Sequence, residues 1–134
     1  MKKSLLTALC AGAFMLRVTS CATFTTTEMM NFSGAIPAGV STAEVKQVIK
    51  DAGAKRDWII KDLGNRTYEA TYIARGHSIK VKLTYDKDSY DITYLNSTGM
   101  EYNAAEGTIH RNYNRWVNNL KHDIDLGLLQ AEAR

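Results

Sequence analysis

The sequence predicts an α+β fold: a two-layer sandwich with an N-terminal helix, a four-stranded antiparallel meander and a C-terminal helix packed on one sheet face. Three patterns carry this expectation. A capping box opens a short apolar repeat at helical spacing, four segments then alternate apolar and polar residues between turn signals, and a long helical apolar stripe closes the chain.

Ser41-Thr42-Ala43-Glu44 has the capping-box form, in which the Ser41 hydroxyl accepts the N–H three residues on and Glu44 reaches back. Val45, Val48, Ile49 and Ala52 follow on one face, and Gly53 is placed to end the helix after about three turns. The first strand is expected over 56–61, centred on Trp58 and Ile60, with a turn at Gly64-Asn65. In the second, Tyr68, Ala70, Tyr72 and Ala74 alternate with Glu69, Thr71 and Ile73.

Gly76-His77 is expected as a two-residue turn, which sets Tyr72 opposite Val81 and Ala70 opposite Leu83. Ile79, Val81, Leu83 and Tyr85 form the inner face of the third strand, and residues 86–89 turn the chain again. The fourth carries Tyr90, Ile92 and Tyr94, with Tyr85 facing Tyr90 and Leu83 facing Ile92. Every pairing keeps apolar beside apolar, which a one-residue slip would destroy. Asn96-Ser97-Thr98-Gly99 is expected to close the sheet. A second helix is expected from near Thr108 past Ile124, with Ile109, Tyr113, Trp116, Val117, Leu120, Ile124 and Leu128 as its stripe.

The first twenty-one of the 134 residues define where such a domain is sent. Met1-Lys2-Lys3, an apolar run to Leu16 and the small-residue exit Val18-Thr19-Ser20 describe a secretory signal peptide over 1–20, too short to span a bilayer. Cys21 follows directly, as in a bacterial lipobox, and is the expected lipid attachment site. The alternative is ordinary cleavage after Ala11-Gly12-Ala13, giving a secreted soluble periplasmic protein. Residues 21–39 are read as the lipidated cysteine and a tether rich in threonine and small residues, although Thr23 to Thr27 suit an edge strand, and 40–134 as one compact domain.

Charge and cysteine usage agree with export. The net charge of +3 counts Lys2, Lys3 and Arg17; removing them leaves 14 basic against 14 acidic side chains (17 − 3 against 14). A near-neutral mature chain lacks the basic footprint that nucleic-acid binding requires. Cys10 lies in the leader, so the mature chain keeps one thiol, which acylation would consume. Neither an intrachain disulfide nor a paired-cysteine metal site is then possible.

The remaining chemistry is sparse. His77 falls in a turn, and His110 and His122 lie twelve apart on the expected helix, which does not place two imidazoles on one metal. Residues 86–91 hold the acids of a calcium loop but lack its glycine and terminal glutamate, and fit a polar hairpin turn better. There is no Gly-x-Ser-x-Gly elbow and no phosphate-cradling glycine loop, so the chain is read as non-enzymatic, with no cofactor and no metal. Arg75, Lys80 and Lys82 suit anionic headgroups, but Glu69 and Asp91 beside them favour cross-strand charge balance.

Seven tyrosines stand out. Most serve packing, with the ring buried and the hydroxyl at an edge. Tyr90, Tyr94, Tyr102, His110, Tyr113 and Asn114, where the last strand, its loop and the helix start converge, form the candidate interaction patch. The alternative is a small-ligand pocket between sheet and C-terminal helix, lined by Tyr72, Tyr94 and Tyr113.

Arg75-Gly76-His77, the run from Tyr85 through Tyr94, and the segment Ile109-His110-Arg111-Asn112-Tyr113-Asn114-Arg115-Trp116 together resemble an uncharacterised family of small proteobacterial lipoproteins. The resemblance implies a Gram-negative envelope lipoprotein of unknown biochemical role and supplies no catalytic residues. Ala22 after the cysteine resembles the pattern sent to the outer membrane, where the domain would face the periplasm and meet an envelope protein.

Overall fold

The computed structural model describes residues 25–134; the expected leader and Cys21 lie outside the described residues. Helix α1 (Thr42–Lys55) begins at the capping box, with both reciprocal bonds formed between Ser41 and Glu44. Gly53 does not end it. It is an interior position of the last turn, where an added Cβ would lie 2.4 Å from Ile60 Cγ1, so its role is close approach to the neighbouring strand.

The meander is β3 (Ile59–Gly64), β4 (Thr67–Ala74), β5 (His77–Tyr85) and β6 (Ser89–Thr98). Tyr85 pairs with Tyr90 and Leu83 with Ile92, but Tyr72 pairs with Ile79 and Ala70 with Val81. The β4–β5 turn is therefore Arg75-Gly76, one residue earlier than the alternation suggested. Both turn residues have positive φ, 47° and 79°, the type I′ form that matches strand twist. A two-residue change of pairing leaves every side chain on its own face, so alternation alone could not detect it. Asn65-Arg66 forms the β3–β4 turn in the same way, with φ of 49° and 57°.

Three further strands add to the expected four, two of them ahead of α1. Strands β1 (Thr26–Glu28) and β2 (Phe32–Ala35) occupy much of the segment read as a tether. Strand β2 pairs antiparallel with β6, so the main sheet has five strands in the order β2-β6-β5-β4-β3. Phe32 and Ile36 are buried, which explains why this stretch folds back: it adds apolar surface to the core. The folded body thus starts ahead of residue 40. Strand β6 continues through Thr98, past a bulge opposite Lys80 and Val81, where closure of the sheet was expected.

Residues Thr108–His110 form β7 rather than the first turn of a helix, and pair with β1 as a separate two-stranded sheet. Helix α2 spans Asn112–Glu132. Tyr113, Val117, Leu120, Ile124 and Leu128 are its buried stripe, while Trp116 is half-buried at the margin. They share one core with Val45, Ile49, Tyr68, Val81, Leu83 and Ile92, so both helices cover the apolar sheet face. On the opposite face Lys80 Nζ lies 3.2 Å from Glu69, the cross-strand charge balance expected there.

Candidate functional site

The six residues of the expected patch do not form one surface. Tyr90 is 1% exposed, with its ring over Gly34 and its hydroxyl donating to Asp125 on α2. Burial first, and the Asp125 carboxylate second, push that hydroxyl far above the ordinary tyrosine range. Tyr113 is wholly buried, and burial raises it likewise. Asn114 is occupied by backbone: Nδ2 donates to Glu28 O and Oδ1 accepts the Met30 N–H, each at 2.9 Å. These three therefore hold the fold together. Tyr94, Tyr102 and His110 stay at least partly open.

Tyr102 and Tyr94 form one ring cluster with Tyr113, and His110 belongs to a separate row of rings. Tyr102 stacks on Tyr94 with centroids 4.2 Å apart, and Tyr94 meets Tyr113 edge-on at 5.8 Å. In that row His110 faces His77 at 5.4 Å, His77 faces Trp116 at 6.5 Å, Trp116 faces Tyr72 at 5.0 Å, and Tyr72 faces Trp58 at 5.3 Å. The row crosses strands: His77 lies on β5, Tyr72 on β4, and Trp58 leads into β3. With strands about 4.8 Å apart, it extends for about 10 Å.

Packing closes the pocket expected between Tyr72, Tyr94 and Tyr113, because Tyr94 and Tyr113 pack against each other and Tyr113 is sealed. An open cleft of about 190 Å³ lies instead at the far end of the row, between Trp58, Tyr72 and Trp116, with Arg56, Asp57 and Asn119 at its rim. Arg56 Nε is paired with the buried Asp123 carboxylate, which that bond holds below the usual carboxylate range. Its guanidinium is thereby fixed beside the cleft.

His110, expected on the helix, lies in β7, and there it meets His77 from the β4–β5 hairpin. His77 Nδ1 lies 2.7 Å from Gly99 O and so carries the proton it donates, leaving Nε2 as an acceptor. His110 Nδ1 accepts the Asn112 N–H at 3.1 Å, so the neutral ring carries its proton on Nε2. The pair offers one acceptor and one donor, which suits hydrogen bonding, whereas two metal ligands need two free lone pairs. Among the described residues no group of three metal-ligating side chains converges.

In the acidic turn, Asp86 Oδ1 accepts the N–H groups of Asp88 and Ser89 at 2.7 and 2.8 Å, an Asx turn closing the hairpin. Trp58, Trp116, His77 and Asn119 are the site residues that sequence patterns did not single out. Their only signal is that bulky rings recur at the ends of elements that topology brings to one end of the sheet.

No family model, no curated protein and no solved structure matches the chain.

Proposed function

We propose that this chain is a lipid-anchored cell-envelope domain, acylated at Cys21 after removal of residues 1–20 and held at the outer membrane facing the periplasm. Its role is non-enzymatic: it binds an envelope protein or another envelope component. The observation that carries this reading is the row of rings from His110 to Trp58, which ends in the open Trp58–Tyr72–Trp116 cleft. Large rings with polar groups at their rim are the composition of recognition surfaces.

The anchor is tested by growth with a clickable palmitate analogue; label on the wild-type chain and none on Cys21→Ser is expected. For the binding surface, a photo-crosslinking residue at Asn119 should yield a discrete adduct in intact cells, lost on Trp116→Ala or Tyr72→Ala with the circular dichroism spectrum unchanged. An adduct indifferent to both substitutions would remove the row from the interface. The small-ligand alternative is favoured by the cleft itself, in its new position against Trp58 and Trp116, and would appear as quenching of tryptophan fluorescence by a soluble envelope extract.

A further inference from the structure

The geometry points to the end of the domain carrying Arg75, Tyr102 and Arg111 as a docking face for the phosphate-bearing headgroups of the bilayer; this rests on acylation of Cys21. The argument starts from reach. Eighteen free residues over 22–39 would have let the domain wander about 60 Å from its anchor. The fold removes that freedom, because Thr25 is already tied down: its carbonyl accepts the Arg111 N–H at 2.8 Å and its hydroxyl donates to Glu101 at 2.7 Å. Only four Cα steps separate Cys21 from Thr25, a span of at most about 14 Å. A domain of this size is about 35 Å across. Only the end that holds Thr25 can then rest on the membrane.

What that end displays follows from the contacts. His77 Nδ1 bonds Gly99 O, the His110 N–H bonds Met100 O, and Arg111 bonds Thr25, so the Arg75-Gly76 turn, residues 99–102 and the start of α2 are neighbours. Arg75, Arg111 and Arg115 are exposed there, with Glu28, Glu101 and Glu106 as the acids, and Glu101 is engaged by Thr25. Tyr102 is 41% exposed while its ring is braced on Tyr94. An amphipathic ring flanked by arginines is the composition of a headgroup-level contact.

The test uses the lipidated chain purified from cell membranes and returned to vesicles of phosphatidylethanolamine and phosphatidylglycerol. Single thiols are introduced by Tyr102→Cys, by Arg111→Cys, and by Lys87→Cys in the β5–β6 turn at the opposite end of the sheet. Their reaction with a membrane-impermeant maleimide is timed before and after detergent is added. Tyr102→Cys and Arg111→Cys should react several-fold more slowly than Lys87→Cys in vesicles and rise to its rate in detergent. Equal rates in vesicles, with the protein still membrane-bound, would overturn the docking face and leave the anchor standing. Recovery of the chain in the soluble fraction would overturn both. Either of the two masked-face variants suffices if the other fails to fold.

Discussion

Asn114 on α2 and Met30, between β1 and β2, are joined across 84 positions of sequence, the Asn114 carbonyl accepting the Met30 N–H while its amide nitrogen holds Glu28. One side chain thus fastens the N-terminal arm to the last helix. Asn114→Ala should lower stability by about 1–2 kcal/mol, since two hydrogen bonds are lost but the freed groups can reach water. Hydrogen exchange should quicken at Met30 before it quickens in α1, and an unchanged Met30 rate would exclude the clamp.

Arg56 and Lys55, where α1 ends, both reach the Asp123 carboxylate, whose side chain is 3% exposed. The Arg56 bond depresses the Asp123 pKa in the folded state. The stability it contributes is complete above the ordinary carboxylate value near 4 and is lost as pH falls through the lower native value. Asp123→Asn should destabilise the protein at neutral pH by about 1–3 kcal/mol and flatten the decline below pH about 4. Denaturant melts at a series of acid pH values measure both effects.

Tyr68, Tyr90 and Tyr113 have their hydroxyls raised, chiefly by burial, with Tyr68 pushed up to about 12. Unfolded tyrosine ionises near 10, so this stability is fully present below that pH and declines above it. An ultraviolet titration of tyrosinate should show these three ionising only as the fold is lost. Tyr90→Phe keeps the ring over Gly34 and should cost about 1 kcal/mol, whereas Tyr90→Ala opens a cavity worth about 3–5 kcal/mol.

At Gly53 the α1 backbone lies directly against Ile60 of β3. Gly53→Ala places a methyl against Ile60 and should destabilise by about 1–3 kcal/mol, despite the better helix propensity of alanine. The double variant with Ile60→Val should recover part of that loss in thermal melts, because it removes a methyl from the crowded side chain.

The local signals were legible where the causes are local. The Ser41–Glu44 box, the alternation of β4 to β6, the hairpin at 86–89 and the stripe of α2 each depend on residues a few positions apart, and the chain displays them directly. The α+β class follows from them. Other features depend on partners far along the chain. Phe32 and Ile36 look like spacer residues until β6 offers an edge, and His110 looks helical until β1 pairs with Thr108–His110.

The surface is where the two levels part most clearly. Sequence by itself determined a capped helix, a two-faced meander and an amphipathic closing helix. Only the tertiary structure decided which tyrosines remain open, that Asn114 is a clamp, and that Trp58, Tyr72, His77 and Trp116 share one margin. The reason is physical: periodicity states which face of an element is apolar, but strand order and register state which elements meet, and those are settled by burying the largest continuous core.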